Sequence, residues 1–317
     1  MATKTVEYNA IVTHKQILTP SLAIFRVKAD FDVPTFIPGQ YAILGMNHAE
    51  KGAVMRAYSI ASPPQTHADY LEFFIRYVNT PTSENPLTHL LFQLEEGDRL
   101  MMRNKLQGHF TVEKSMGEED ARLKVLVAAG TGLAPFTSIV FDHFNRTGNP
   151  GNHAIMHGAS YVSDLGYVEE LERVMNQGPN RRYLASVSRP GENQEWKGQT
   201  GRVETHFEPE KIGALEEVLG LPKGGFNPQA VTVMICGLQG TIANTIMSLF
   251  HRGFVPGDRK LRREFGVPEG TPGSVFFEQY DTTPVIDTKD ATLMTELTER
   301  LRGSGVALEE KTVAAEA

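Results

Sequence analysis

The first hundred residues alternate apolar and polar side chains with a period of two, and turn-forming residues cut the alternation into short lengths. Such alternation puts successive side chains on opposite faces of an extended chain, so each length reads as a strand with one buried face. Strands are expected over residues 7–18, 22–28, 40–45, 56–61, 71–77 and 99–103. Thr19-Pro20, Ile37-Pro38-Gly39, Ser62-Pro63-Pro64 and Glu96-Gly97-Asp98 separate them. One helix, over 86–94, starts at Pro86, a residue suited to the first helical turn. Many short strands with regular turn signals predict an antiparallel barrel.

From Lys124 the period changes. Apolar runs at 124–129, 154–159, 183–187 and 231–236 alternate with helical spacing at 136–146, 164–177 and 239–252. That alternation is the signature of βαβ units and a parallel sheet. The polar stretch 113–122 reads as a linker. The chain divides into an N-terminal antiparallel β-barrel over 1–118, a C-terminal α/β domain over 119–280, and an extension over 281–317. The extension carries one amphipathic helix at about 291–302 and a disordered end over 312–317.

The junction of the first parallel strand with its helix is the most telling segment. Val125-Leu126-Val127-Ala128-Ala129 runs straight into Gly130-Thr131-Gly132, and a helical pattern follows. Backbone N–H groups at such a turn point outward, and the helix dipole favours negative charge there, so a phosphate-bearing ligand is expected. The pattern is Gly-x-Gly-x-x-Pro, however, and Pro135 stands where a dinucleotide fingerprint has its third glycine.

Composition narrows the chemistry. A net charge of −7 over 317 residues argues against general nucleic-acid binding. No apolar run reaches the length of a membrane span, and no signal peptide follows Met1, so a cytoplasmic protein with no membrane attachment is expected. Cys236 is the single cysteine, which excludes a disulfide framework, a thiolate zinc site and a self-contained iron–sulfur cluster. No metal site is expected, and any redox chemistry belongs to an organic cofactor.

Two further pieces bear on a site. In Arg56-Ala57-Tyr58-Ser59 the arginine and tyrosine share one strand face. They read either as an ordinary edge strand or as a phosphate ligand, a flat aromatic platform and a hydroxyl. Cys236-Gly237 ends the fourth parallel strand; the cysteine is either a small core residue or a group placed at a ligand crevice.

Taken together, Arg-x-Tyr-Ser in a barrel strand, Gly-Thr-Gly-x-Ala-Pro-Phe and then Cys-Gly resemble the ferredoxin–NADP⁺ reductase family. The likeness covers roughly residues 8 to 280. It includes Leu87-Thr88-His89-Leu90, His157-Gly-Ala-Ser-Tyr161, Val187-Ser-Arg189, Thr200-Gly-Arg202 and Phe277-Glu278-Gln279-Tyr280. The resemblance implies an FAD-binding barrel and an NADP-binding α/β domain. It places Arg56 at the FAD pyrophosphate, Tyr58 on the isoalloxazine and Ser59 near flavin N5. Thr88 would supply a hydroxyl and a backbone N–H, and Phe74, Ile75, Arg76 and Tyr77 match the strand that lies along the flavin. Cys236, with Gly237 beside it, would orient the nicotinamide without covalent chemistry. Glu278 would relay protons through Ser59. Tyr280 would cover the flavin, with Phe276 and Phe277 as competitors.

By the same resemblance Gly130, Thr131 and Gly132 form the NADP-side loop. The second parallel strand ends at Ala159-Ser160-Tyr161, with no acid before Asp164; a carboxylate there would favour NAD and repel a 2′-phosphate. Arg189 and Arg202 can grip that phosphate, although Ser160 stands where bacterial members often carry arginine. Tyr167 either stacks on adenine or packs within its helix. The basic run Arg252, Arg259, Lys260, Arg262 and Arg263 reads as a solvated loop or as a steering patch for an acidic carrier. The implied activity is hydride transfer between NADP(H) and FAD N5, with one-electron exchange to ferredoxin or flavodoxin, by a monomer or homodimer. The alternatives are a reductase component of a multi-chain oxygenase and a flavin-binding regulatory protein without turnover. The extension departs from the family pattern and is expected to pack on the surface, near the FAD adenine or at a dimer contact.

Overall fold

The computed structural model describes residues 5–79, 85–192, 195–280 and 283–309; the expected disordered end at 312–317 lies outside them. The barrel comprises β1 (Ala10–Thr19), β2 (Leu22–Ala29), β3 (Tyr41–His48), β4 (Gly52–Ser59), β5 (Leu71–Arg76) and β6 (Arg99–Met102). They pair antiparallel in the order β4-β3-β6-β1-β2-β5, and a bridge between Ile60 and Phe73 joins the two edges into a closed barrel. The alternation read from the sequence is the alternation of burial: in β2, Ala23, Phe25 and Val27 point into the barrel core. Helix α1 (Leu87–Gln93) stoppers it with Leu87 and Leu91. β4 begins four residues earlier than expected because Val54 and Met55 continue the pairing with Met46 and Gly45.

The segment taken for a linker contains a short helix, α2 (Val112–Met116), capped by the Thr111 hydroxyl. Then come β7 (Leu123–Ala129), α3 (Ala134–Thr147), β8 (His153–Ala159), α4 (Val168–Met175), β9 (Tyr183–Val187) and β10 (Gln199–Thr200). The domain finishes with α5 (Ile212–Val218), β11 (Val231–Gly237), α6 (Gln239–Leu249), α7 (Arg259–Phe265) and β12 (Val275–Gln279). The strands form one parallel sheet in the order β10-β9-β8-β7-β11-β12. β7 and β11 are apolar almost throughout because helices cover both faces.

Three elements correct the sequence reading. Arg259–Phe265 is a helix rather than a solvated loop, held by the Asp258 side chain at its start and left-handed Gly266 at its end. Its Arg262 donates to the Pro268 and Thr271 carbonyls at 2.9 and 2.7 Å, and Arg252 pairs with Glu216 at 3.3 Å, so two charges of the basic run hold the fold. α4 starts four residues late because Tyr167 adopts a left-handed φ of 61° immediately before it. The edge strand β12 follows Gly270-Thr271-Pro272-Gly273, a stretch whose turn residues mask it.

The extension corrects a further expectation. Helix α8 (Ala291–Gly303), started by the Asp290 side chain, buries Leu297 and Leu301 completely. They join Phe250, Phe254, Leu261 and Phe265 in the α/β core, and Val285 and Ile286 enter the same core. The tail is therefore an integral layer of the domain, not a surface appendage. Among the described residues no helix is long and apolar enough to cross a membrane.

The two domains share a third core, in which barrel residues Leu22, Ile24, Phe74 and Phe110 pack with Leu126, Leu133 and Phe136. Within it the Thr137 hydroxyl donates to the Ala61 carbonyl (2.9 Å) and the Ser138 hydroxyl to the Ser62 carbonyl (2.8 Å). Nearby, Gln65 donates to Asp142 at 2.7 Å.

Two outcomes are expected from this packing. Leu301→Ala should lower stability by about 2–5 kcal/mol in urea unfolding, as a fully buried leucine removed from a core does; an unchanged midpoint would mean that α8 contributes nothing to the domain. Ser138→Ala, which leaves the buried Ser62 carbonyl unpaired, should cost about 1–3 kcal/mol in the same measurement.

Candidate functional site

The order of the parallel sheet reverses between β7 and β11, since β8 and β9 lie on one side of β7 and β11 and β12 on the other. Crevices outside the carboxyl ends of strands at such a switch point are the ligand sites of open α/β sheets. Here β7 ends at Ala129 and β11 at Gly237. A cleft of about 390 Å³ opens at that place, and Gly130, Thr131, Ser160, Arg189, Arg202, Gly237 and Tyr280 all line it. With Arg76, which also lines it, eight of the residues singled out from sequence thus meet at one site.

The two glycines of the turn work differently. Gly130 has φ +55° and open space around it, so its backbone conformation is what requires glycine. At Gly132 a Cβ would sit 2.0 Å from the Cys236 carbonyl oxygen, so its role is close packing of the turn on β11. Gly132 is buried and lies behind the cleft rather than in it. The turn is one stretch of 3₁₀ helix, Gly130–Leu133, which feeds α3 with Pro135 in its first turn.

Around Tyr280, which lines the cleft, side chains from both domains converge. The Ser59 hydroxyl, at the end of β4, donates to Glu278 Oε2 at 3.2 Å. The Cys236 thiol donates to the Tyr280 hydroxyl at 3.1 Å. Glu278 sits directly opposite Cys236 in the β11–β12 pairing, which brings the two contacts together. Burial pushes the Cys236 thiol well above its ordinary range, and the neighbouring carboxylate adds to the shift, so the thiol stays protonated. Burial likewise raises Glu278 from 4.5 to about 7, opposed by the Ser59 hydrogen bond. Tyr280 turns its hydroxyl inward, yet the residue is 47% exposed and its ring meets the cleft.

On the barrel side, Arg56 and Tyr58 share a face of β4, opposite Leu44 and Ala42. The Tyr58 hydroxyl is buried without a hydrogen-bond partner among the described residues, and burial pushes its pKa upward. An orphaned phenol beside Ser59 fits a site whose ligand would complete it. Phe74 packs edge-on to Tyr167 at 5.5 Å in the core between the domains. Arg76 lines the nucleotide-side cleft and pairs with Asp164 at 3.5 Å.

Other expected ligand residues have their side chains committed within the protein. Ile75 turns into the barrel core. Tyr77 stacks on His89, with ring centres 4.7 Å apart. The buried Thr88 hydroxyl accepts the Val78 N–H at 3.2 Å. Tyr167 does not reach the cleft: its hydroxyl donates to Glu72 at 2.9 Å, and Glu72 is also paired with Arg26 at 2.7 Å. Arg189 lies over the Tyr161 ring, 5.2 Å from its centre, and donates to its hydroxyl. Phe276 and Phe277 line a separate cavity with Glu278, and Tyr280 does not line it.

Residues 9–111 match the family described as the oxidoreductase FAD-binding domain, and residues 126–246 the oxidoreductase NAD-binding domain. The chain is 30% identical over 256 residues to ferredoxin–NADP reductase A of Sorangium cellulosum, covering 75% of this chain and 83% of that one. It is 29% identical over 248 residues to the ferredoxin–NADP reductase of Pseudomonas aeruginosa, covering 73% and 87%. The chain belongs to the ferredoxin–NADP reductase family. It is a flavin-dependent NADP(H) oxidoreductase with an antiparallel barrel and a parallel α/β domain. A ferredoxin NADP⁺ reductase structure from Neisseria gonorrhoeae, 22% identical, shares the fold with a TM-score of 0.68 over 87% of this chain and 98% of that one.

The sequence reading of this family member overlooked Leu238, 73% exposed at the cleft, and Glu204, a buried carboxylate in its wall. No motif marks either; Glu204 enters through the 3₁₀ segment Val203–Phe207 that follows Arg202.

The raised Glu278 carboxyl has a measurable consequence. The unfolded side chain ionises from about 4.5 upward while the folded one holds its proton to about 7, so the native state loses stability as pH rises between those values. In the flavin-free protein urea unfolding should weaken over that window by at most about 1.4 kcal/mol per pH unit. Glu278→Gln should abolish that component, and an identical pH profile for the variant would show that Glu278 ionises normally.

Proposed function

We propose that the chain is an FAD-dependent ferredoxin– or flavodoxin–NADP⁺ reductase, with FAD held against the barrel and NADP(H) in the cleft at the β7–β11 switch point. The observation that carries the reading is the convergence of Ser59, Cys236, Glu278 and Tyr280 from two domains, with Tyr280 reaching into that cleft. When bound, FAD takes or gives a hydride at N5 and exchanges electrons singly with a small carrier.

The chain's own part is placement. Arg56 carries the charge for a pyrophosphate, and Tyr58 offers a ring whose hydroxyl has no hydrogen-bond partner among the described residues. The Ser59 hydroxyl and Glu278 hold a proton on a short path, and an acid ionising at about 7 can both accept and return it near neutral pH. Cys236, protonated and buried, shapes the floor without acting as a nucleophile. Tyr280 covers the site from the cleft side and excludes water until a nicotinamide displaces its ring.

Preference for the 2′-phosphorylated nucleotide is supported by the charges. Arg189 and Arg202 line the cleft, and Asp164, the first acid after β8, is engaged with Arg76. No carboxylate at the end of β8 is thus offered to a ribose hydroxyl in the NAD manner. The domain limits proposed from sequence, 1–118 and 119–280, put the boundary inside the polar stretch that holds α2. The steering surface for an acidic carrier is confined to Arg259, Lys260 and Arg263, since Arg252 and Arg262 are engaged in the fold. A cytoplasmic setting is consistent with this chemistry.

Under anaerobic mixing, NADPH should bleach the flavin absorbance faster and at lower concentration than NADH. Arg202→Ala should raise the KM for NADPH by about tenfold to a hundredfold and leave the KM for NADH nearly unchanged, as loss of a charged phosphate contact does. Bleaching by neither nucleotide would overturn the reading, and equal effects on both KM values would remove the phosphate role of Arg202.

A further inference from the structure

Arg202 meets the cleft from an edge of the domain that apolar packing does little to hold. It follows β10, an edge strand of two exposed residues, and Gly201, whose φ is +100°. The Arg202 side chain is 72% exposed, and its ion-pair partner Glu204 lies 3.8 Å away. A long side chain on such a segment is aimed by its backbone, so whatever fixes that backbone decides where the guanidinium stands.

Polar side chains fix it. The Ser186 hydroxyl, buried in β9, donates to the Gly201 carbonyl at 2.7 Å. The Thr205 hydroxyl donates to the Arg202 carbonyl at 2.8 Å, alongside the Thr205 N–H at 3.0 Å. The carbonyls on either side of the Arg202 Cα are thus both held. Behind them, His206 Nε2 lies 3.2 Å from the Ser186 hydroxyl oxygen. The serine proton assigns the roles. A carbonyl only accepts, so that single proton points to Gly201, and Ser186 Oγ can only accept from the imidazole. His206 therefore carries a proton on Nε2 and donates it. The half-buried ring lines a cavity of about 300 Å³ with Ser186, Thr200 and Thr205, so one side of it is open and the hydrogen bond locates it. Neither His206 nor Ser186 lines the nucleotide cleft.

We propose that His206 is a positioning residue: through Ser186 it fixes the Gly201–Arg202 backbone and so sets how Arg202 meets the 2′-phosphate of NADP(H). The inference rests on the reading of Arg202 as the 2′-phosphate ligand and extends it to a residue behind the cleft.

The test uses the full-length, flavin-loaded protein, with KM and kcat measured for NADPH and NADH in parallel. His206→Phe keeps a planar ring and removes the donor. It should raise the NADPH KM about threefold to tenfold, the size of one lost hydrogen bond, with kcat and the NADH KM unchanged. His206→Gln, whose amide N–H can stand in for Nε2–H, should restore the wild-type value. A purely packing role would favour phenylalanine over glutamine and move both nucleotides alike. In an Arg202→Ala background His206→Phe should change nothing further, because two changes that remove one contact do not add. A rise shared by NADH, a glutamine variant no better than phenylalanine, or an undiminished effect without Arg202 would each overturn the inference and leave the Arg202 reading standing. If Arg202→Ala itself leaves the NADPH KM unchanged, that reading falls, and the inference with it. Should His206→Phe not fold, Ser186→Ala breaks the same connection at its middle and must raise the NADPH KM alone; no rise, or an equal rise for NADH, overturns the inference.

Discussion

Two buried hydroxyl-to-carbonyl hydrogen bonds fix the geometry on which everything else in the molecule depends. Thr137 and Ser138, in the first turns of α3, hold the carbonyls of Ala61 and Ser62. That segment leaves β4 immediately after Ser59, and its own amides are tied down as well, Ile60 to Gln40 and Ala61 to Glu72. α3 in turn is set by the Gly130–Leu133 turn, which lies on the Cys236 backbone with no room for a Cβ at Gly132. One continuous chain of contacts therefore runs from Ser59 through α3 to Cys236. Displacements of about 1 Å between reacting groups are costly to catalysis, and a site divided between two domains needs such a rigid connection.

The same connection explains why Gly-x-Gly-x-x-Pro replaces the usual dinucleotide fingerprint. In a standard Rossmann turn the third glycine lets the helix pack closely on its strand. Here α3 packs against the barrel as well as against its own sheet, and Phe136 contributes to the core shared by both domains. Pro135 costs nothing in the first turn, where its missing N–H has no helical partner. The residue that spoils the fingerprint is the one that suits a helix start facing another domain.

Most of the fold was legible in the sequence because its signals are strong and local. Period-two alternation located all six barrel strands, and buried runs such as Val125–Ala129 located the long parallel strands. What was missed is short or depends on tertiary contacts. α7 spans seven residues and is defined by its caps; β12 has five and follows a turn-rich stretch. Tyr167 takes a left-handed conformation because its ring and hydroxyl are held by Phe74 and Glu72 of the other domain, which no local pattern encodes. The tail's amphipathic period was visible, but an apolar stripe does not say which surface it meets. At the site, the motif residues of the cleft were legible by type and spacing. The commitments of Ile75, Tyr77 and Thr88 were not, since strand position alone does not say which face a ligand takes.

The treatment of buried carboxylates separates structure from function within this one chain. Glu216 accepts the N–H groups of Gly224 and Phe226 at 3.0 and 3.1 Å and pairs with Arg252. Glu72 has Arg26 and the Tyr167 hydroxyl. Both are satisfied as buried charges must be, and both hold elements together. Among the described residues Glu278 has the Ser59 hydroxyl, and its ionisation moves to about 7; Glu204 has an oxygen with no hydrogen bond among them, only the Arg202 guanidinium at 3.8 Å. A sequence that supplies full complements at two positions has the means to supply them at the others. Glu278 lines a cavity at the domain junction and Glu204 the cleft beside Arg202. Incomplete hydrogen bonding of this kind is tolerated where a ligand completes it.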